Sequence, residues 1–414
     1  MSERLCVWLD SNHVGTLTRK GRTALSFAYD AGWMCSGFPL SLSLPFQEHP
    51  FDDSRSRAFF DNLLPEQAVR DKVSKRLHVS QKNVFGLLAA LGGECAGALT
   101  ILHEGEIPAA RPVYEEISRD RLGEIISLLP QRPLLAGEEG LRLSLAGAQT
   151  KLPIARLGST YLLPTQGAPS THILKPPIDD LPGSVENEAF CMALAKLVDL
   201  DAPKAEITET YPRGYLVERY DRVVHPDGIR RIHQEDFCQA MGLPAELKYQ
   251  NEGGPGTREC FDLLEHSATP VGDRTQLFRL VVFNHLIGNT DAHAKNLSLL
   301  YDAPPRPRLA PFYDLLCVGM FEAQGLGQKN AMKIGGQYDP KFIMKRHWLR
   351  LADEAGLGHP DALTMITALA KTLSTGAGYV AEAFRERYGK SRAVPRIVEF
   401  IQERCRLTLE RLAQ

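Results

Sequence analysis

The segment Phe283-Asn284-His285-Leu286-Ile287-Gly288-Asn289-Thr290-Asp291-Ala292-His293-Ala294-Lys295-Asn296 constrains this chain more than any other. An apolar run with helical character meets Gly288 and Asn289, two residues that stop helices. The polar side chains Asp291, His293, Lys295 and Asn296 then follow in close succession. A carboxylate and an amide five residues apart can share one short loop. There the carboxylate can take a proton from an attacking hydroxyl while the amide oxygen holds Mg2+ beside phosphates. A polar helix-to-strand turn would use the same residue types, because Asp and Asn are common in loops.

Composition narrows the classes open to the chain. Its 414 residues predict roughly two or three domains. Hydrophobic residues make up 43%, enough to bury a core, which excludes disorder as the main state. Forty-eight Lys and Arg against fifty Asp and Glu leave a net charge of −2. That excludes a surface devoted wholly to nucleic acid, while leaving room for a local basic patch. No apolar stretch reaches the roughly 18 residues that cross a bilayer. The N-terminus lacks the apolar core of a signal peptide. A cytoplasmic protein with no membrane partner is therefore expected. The cysteines at 6, 35, 95, 191, 238, 260, 317 and 405 form no Cys-x-x-Cys pair, so reduced, buried thiols are expected rather than a zinc site or disulfide framework.

Along the chain the pattern changes twice. Residues 1–105 carry strand signals at Leu5–Leu9, Val14–Thr18 and Pro39–Pro45, with helices at Arg57–Asn62 and Pro65–Leu77. A linker falls near Gly105–Pro112. A helix at Arg119–Leu129 precedes a βαβ-type region with strands near 152–156, 171–175, 205–209 and 215–220. Its helix starts at Ser184, a candidate cap, and has Glu186 and Glu188 in or near its first turn. From about 232 onward helices dominate: Glu235–Met241, Cys260–His266, Arg274–Ile287, Pro340–Ala355, Pro360–Leu373 and Pro395–Leu412. The fold class expected is α+β, two-lobed, with a strand-rich N-terminal part and an all-helical C-terminal lobe.

Several further motifs gain meaning from their order. Asp291 and Asn296 have the D-x-x-x-x-N spacing of a protein-kinase catalytic loop. Asp314, after Pro311-Phe312-Tyr313, stands where a kinase places a second magnesium-binding carboxylate; a helix N-cap is the equal alternative. Leu297–Tyr301 with Pro304–Arg308 would supply the intervening hairpin. Lys175 ends the strand Thr171–Pro176, as a phosphate-contacting lysine would, although strand-end lysines are usually solvated. The small residues of Leu143–Lys151 would let backbone N–H groups approach phosphate. The order of a Walker A motif is absent there, as is G-x-G-x-x-G. Tyr215–Arg222 suits a hinge offering backbone to an adenine edge, or simply a surface strand with paired charges. Phosphate loop, strand lysine, acidic helix, hinge, helical lobe, Asp/Asn loop and metal carboxylate follow one another as in a two-lobed kinase.

The chain resembles the HipA family of bacterial serine/threonine kinases, the toxins of HipA–HipB toxin–antitoxin systems. The stretches that carry the resemblance are Ser144–Lys151 (SLAGAQTK), Thr171–Pro177 (THILKPP), Val185–Phe190 (VENEAF), Val217–Arg222 (VERYDR) and Gln234–Met241 (QEDFCQAM). Lys248–Gly256 (KYQNEGGPG), Phe283–Asn296, Pro311–Asp314 (PFYD), Ala331–Gly336 (AMKIGG) and, near the N-terminus, Phe59–Glu66 (FFDNLLPE) extend it over nearly the whole chain.

The resemblance implies segments 1–105 (HipA-type N-terminal subdomain), 106–217 (kinase N-lobe) and 218–414 (kinase C-lobe). It implies Asp291 as catalytic base, and Asn296 and Asp314 as Mg2+ ligands. ATP would be bound by Ala146, Gly147, Ala148, Gln149, Thr150, Lys151, Lys175, the hinge Glu218, Arg219 and Tyr220, and by His293 and Lys295. Ser144 matches the serine that the family autophosphorylates. The implied partners are a HipB-like helix-turn-helix antitoxin, operator DNA through that complex, and a protein substrate, with aminoacyl-tRNA synthetases as the class. Two competing readings are a metal-dependent phosphohydrolase using His285, Asp291 and His293, and a non-catalytic module that holds an antitoxin on DNA.

Overall fold

The computed structural model describes residues 3–414, which form two compact units. The first comprises the chain up to Pro176 with Thr208–Ala245 and Leu299–Pro307. The second comprises Pro177–Ile207, Glu246–Ser298 and Arg308–Gln414. The α+β class holds.

The first unit is built around two larger antiparallel sheets. In one, strands Ala24–Tyr29, Asn12–Lys20, Glu3–Leu9 and Leu99–His103 lie side by side in that order. Leu5 and Val7 alternate inward onto a core built on Phe27, Phe51, Phe59 and Phe60. Pro39–Pro45 is not the strand its alternation suggests; only an isolated bridge joins Ser41 and Leu44. Side chains occupy its polar groups instead. The Leu42 N–H donates to Glu235 Oε1 (3.1 Å), and the Ser41 hydroxyl donates to the Gln239 carbonyl (3.2 Å).

In the other sheet, Val113–Ile117, Thr160–Thr165, Leu152–Leu157, His172–Lys175 and Tyr215–Glu218 are neighbours in that order. Their pairings are antiparallel, not the parallel pairing of a βαβ unit. The local cause is Gly158. Its φ of +61° allows a tight turn that pairs Leu157 with Thr160 and returns the chain at once.

The second unit is mainly helical, with helices Ser184–Leu197, Thr257–Leu263, Pro270–Ile287, Lys345–Ala355, His359–Tyr388 and Ala393–Ala413. Past residue 218 the chain still forms short strands at Arg222–His225, Gly228–Arg231, His233–Asp236, Ser298–Tyr301 and Arg308–Leu309, where the sequence suggests mostly helices. Ser184 is not the cap of its helix. Gly183, in the left-handed region, holds that position, and the Ser184 hydroxyl accepts the Ile178 N–H (2.9 Å). His359–Tyr388 runs well beyond Leu373. Gly376 is a packing residue there rather than a stop, since a Cβ on it would lie 2.6 Å from Leu197.

The cysteines are all free thiols, most of them buried. Among the described residues no helix is long and apolar enough to cross a membrane.

Glu235 makes the first unit sensitive to pH. It is fully buried, accepts the Tyr301 hydroxyl (2.6 Å) and the Leu42 N–H, and burial pushes its carboxyl up to about 7. The folded state therefore holds this proton more tightly than the unfolded chain does. Its contribution to stability is complete below the ordinary carboxylate range and is lost as pH rises through 7. Urea melts should show this contribution falling by about 3 kcal/mol between pH 4.5 and 8. Glu235→Gln should flatten that slope and raise stability at pH 8. An unchanged slope in the variant would refute the assignment.

Candidate active site

The helix Pro270–Ile287 leads into the candidate catalytic loop of the second unit. It ends at Gly288, φ +76°, whose N–H donates to the Asn284 and His285 carbonyls. Only glycine fits there, because a Cβ would lie 2.3 Å from the Phe400 ring. Asn289 does more than stop the helix. Its amide donates to Asn284 Oδ1 (3.1 Å) and to the Asp314 carbonyl (3.3 Å), which ties the Asp314 segment to the helix end.

Asp291 and Asn296 come together as their spacing predicts. The Asp291 carbonyl accepts the His293 N–H (2.8 Å) and the Asn296 side-chain amide (3.2 Å). The Asp291 side chain is exposed, and its Oδ1 accepts the Tyr249 hydroxyl (2.9 Å). The Tyr249 ring also meets the His293 ring edge-on at 5.1 Å. Tyr313 donates to the Lys295 carbonyl (2.8 Å) and shares a hydrogen bond with Ser298 (2.8 Å). The turn that bears the candidate base is thus braced from several segments. The Ala331 N–H adds a further brace on the Thr290 carbonyl (2.8 Å).

Asp314 is not a helix cap. It lies in irregular backbone at φ +59°, and the next helical turn begins at Val318. A non-glycine residue held in the left-handed region carries a conformational cost that recurs at functional positions. The expected hairpin before it is present as Ser298–Tyr301 and Arg308–Leu309, and the Ala310 N–H donates to the Ser298 carbonyl (2.9 Å). The Asp314 carboxylate and the Asn296 amide are hard oxygen donors, the set that suits Mg2+ when phosphates and water complete the shell. Among the described residues no group of three or more His, Cys, Asp or Glu could hold a metal by itself. His285 is buried against Trp348, ring centroids 5.1 Å apart, and burial holds it well below its usual pKa. The phosphohydrolase reading loses its proposed ligand set.

The remaining predicted residues lie in the first unit. Ser144 is fully buried: its hydroxyl donates to the Leu63 carbonyl (2.7 Å) and its N–H to the Glu94 carbonyl (2.9 Å). In the loop Ala146–Lys151, Gly147 sits at φ +109°, the Glu66 N–H donates to its carbonyl (3.1 Å), and the Lys151 ammonium donates to the Ala146 carbonyl (2.8 Å). Ala148 is exposed, and Gln149 and Thr150 are half-buried. Lys175 is not a solvated strand-end lysine. It is 6% exposed, pairs across the sheet with Tyr215, and sets its ammonium 5.5 Å from that ring centroid. Glu186 and Glu188, the acidic residues of the helix Ser184–Leu197, belong to the second unit, and Glu188 is also buried.

The candidate hinge residues differ in their contacts. Glu218 is paired with His172 in the sheet, and the Tyr220 hydroxyl is hydrogen-bonded to Gln234. The Arg219 N–H donates to the Thr171 carbonyl (2.9 Å). Its guanidinium is wholly engaged in a buried cluster with Asp221 (2.7 Å), Glu94 (3.1 Å), Ser170 (3.0 Å) and the Cys95 carbonyl (3.1 Å). Arg222 reaches the same Glu94 oxygen at 2.7 Å. Burial pushes the Glu94 carboxyl up, but Arg219, Arg222 and Arg231 more than reverse this and hold it below its usual range. Sequence reasoning missed Glu94 and Tyr249; each lies far along the chain from the group it serves, and only the Gly-rich turn around residues 92–97 marks the former.

Comparison with known proteins places these features. Residues 143–377 match the model of the HipA-like C-terminal domain, and residues 5–102 match that of the HipA N-terminal domain. The chain belongs to the HipA family. It is 31% identical over 371 residues to the serine/threonine-protein kinase toxin HipA of Shewanella oneidensis, covering 85% of this chain and 83% of that protein. It is 42% identical over 413 residues to Y4mE of Sinorhizobium fredii, which bears a provisional kinase name, covering 97% and 98%. Among solved structures, HipA of Shewanella oneidensis MR-1, in a complex with HipB and operator DNA, superposes with a TM-score of 0.85 at 27% identity. That match covers 99% of this chain and 98% of the other. The HipA fold is kinase-like, so the two-lobed expectation holds.

Proposed function

We propose that this HipA-family chain is an ATP- and Mg2+-dependent serine/threonine protein kinase that acts as the toxin of a toxin–antitoxin pair. The observation that carries this reading is the Asp291–Asn296 turn, with the candidate base exposed and its backbone, amide and carboxylate all held. Asp291 takes the proton of the attacking hydroxyl. Asn296 and Asp314 hold Mg2+, whose charge offsets that of the phosphates. Lys175, the loop Ala146–Lys151, His293 and Lys295 take the nucleotide phosphates, and Glu218–Tyr220 takes the adenine. Segments 1–105, 106–217 and 218–414 serve as N-terminal subdomain, N-lobe and C-lobe.

A HipB-like helix-turn-helix antitoxin is the proposed partner, with operator DNA engaged through that complex. The proposed substrate class is an aminoacyl-tRNA synthetase, whose phosphorylation would stop translation and arrest growth in the cytoplasm. Ser144 is the proposed autophosphorylation site. A phosphate there adds a charge of about −1.5 to −2 to a side chain that is fully buried and donates to a carbonyl. The modified segment must therefore leave its place, taking the phosphate loop with it.

The test is incubation of the purified chain with Mg-ATP, followed by mass spectrometry and nucleotide titration. Phosphate should accumulate on Ser144, and the modified form should bind ATP weakly. An unmodified Ser144 after prolonged incubation, with no transfer to any protein acceptor, would refute the kinase reading.

A further inference from the structure

The C-terminal helix Ala393–Ala413 carries arginines that the reading above does not use. Arg396, Arg404 and Arg411 are eight and seven positions apart, so at 100° per residue they project within about 80° of one another. All three line an open groove of about 760 Å3 in the second unit, together with Gly319, Met320, Pro340 and Lys341.

The charges in this groove do not cancel. Glu322 is paired with Lys341 (2.5 Å) and Glu403 with Arg406 (2.7 Å), which leaves Glu399 as the further carboxylate among the lining residues. Arg396 donates to the Met320 carbonyl (3.1 Å). Arg404 lies over the Phe400 ring, 5.1 Å from its centroid, and its Nη1 is buried with no hydrogen-bond partner. A buried guanidinium donor without an acceptor is costly, and turning it toward the groove would let an anion there supply one. Burial holds the Arg404 guanidinium below its usual pKa; Arg411 adds to this, while Cys317, Glu322 and Asp339 oppose it. Guanidinium groups converging in this way match the geometry of phosphate oxygens.

We propose that this groove binds a small free phosphate-class anion, with Arg404 as the central donor and Arg396 and Arg411 beside it. The groove is much larger than one phosphate, so an anion seated at Arg404 leaves space for a second phosphoryl group. Its wall also meets the base of the candidate active site. The Phe400 ring packs on Gly288, the residue that ends the catalytic-loop helix, and on Gly319, whose N–H donates to the Gly288 carbonyl (3.0 Å).

Calorimetric titration of the full chain with pyrophosphate tests the proposal, without nucleotide or Mg2+ and with chloride holding ionic strength constant. Wild type should bind saturably. Arg404→Gln should weaken binding by about tenfold or more, in line with the loss of a charge-assisted bidentate contact. Arg411→Gln, at the groove rim, should weaken it in the same direction and decides the matter if the first variant does not fold. Lys175→Met, which touches only the candidate nucleotide site, should leave the arginine-dependent binding in place. The proposal fails if wild type shows no saturable binding, or if the arginine variants bind as wild type does. It fails equally if Lys175→Met alone abolishes binding, which would place the anion at the nucleotide site.

Discussion

Asp291→Asn is expected to reduce phosphoryl transfer by about 10²-fold or more while leaving fold and nucleotide binding intact. The reason is local. The asparagine has the same shape, and its amide oxygen can still accept the Tyr249 hydroxyl that the carboxylate accepts at 2.9 Å. The backbone contacts of the turn, from the His293 N–H and the Asn296 amide to the residue 291 carbonyl, do not involve the side chain. What disappears is the group that can take a proton. The side chain is exposed and the asparagine keeps its shape, so the substitution should move the melting temperature little. Initial rates with Mg-ATP and a protein acceptor, alongside calorimetric nucleotide affinity, separate the two effects. Wild-type transfer by the variant would show that another group is the base. Asp314→Asn should differ by weakening the Mg2+-dependent part of nucleotide binding itself.

Glu94→Ala is expected to cost about 3–5 kcal/mol of unfolding free energy, the range for removing one partner from a buried ion network. Glu94 is completely buried and serves Arg219, Arg222 and the Ser170 hydroxyl together. Burial disfavours both guanidinium charges, and without Glu94 only Asp221 remains as a carboxylate between them. The depressed pKa of Glu94 sets the sign of its pH dependence. Its contribution is present above the ordinary carboxylate range and is lost as pH falls below it. Urea denaturation at pH 7 should resolve the loss. A double variant that also carries Arg222→Met should recover part of it, since removing both charges costs less than stranding one. A loss within about 0.5 kcal/mol, typical of a surface substitution, would mean the cluster is open to solvent.

The same residue links three segments that are distant in sequence. The Glu94 backbone bridges to the segment that leads into the candidate phosphate loop: its N–H donates to the Arg142 carbonyl (2.8 Å) and its carbonyl accepts the Ser144 N–H. Its side chain holds Arg219 in the hinge segment. The N-terminal segment is therefore part of the framework that positions the candidate nucleotide-binding residues of the first unit. Leu63 and Glu66 extend that framework, through the Ser144 hydroxyl and the Gly147 carbonyl.

What the sequence determined by itself was whatever a few neighbouring residues decide. Gly288 and Asn289 end a helix because glycine accepts the left-handed backbone. Asp291 and Asn296 share a turn because five residues of chain cannot carry them far apart. The helices at 119–128, 270–287 and 393–413 follow from apolar periodicity, and the strand His172–Lys175 from its composition. Other choices rested with tertiary structure. Pro39–Pro45 alternates as a strand should, yet Glu235 and Gln239, almost two hundred residues on, take its polar groups and leave it irregular. The helix expected over Pro360–Leu373 continues to Tyr388, where Gly376 leaves Leu197 the space a side chain would fill. Tyr249 meets Asp291 across 42 positions and Glu94 meets Arg219 across 125. Local propensity has no term for a partner so distant in the chain. Only the packed fold can supply the acceptor, the counter-charge or the ring that makes such a residue functional.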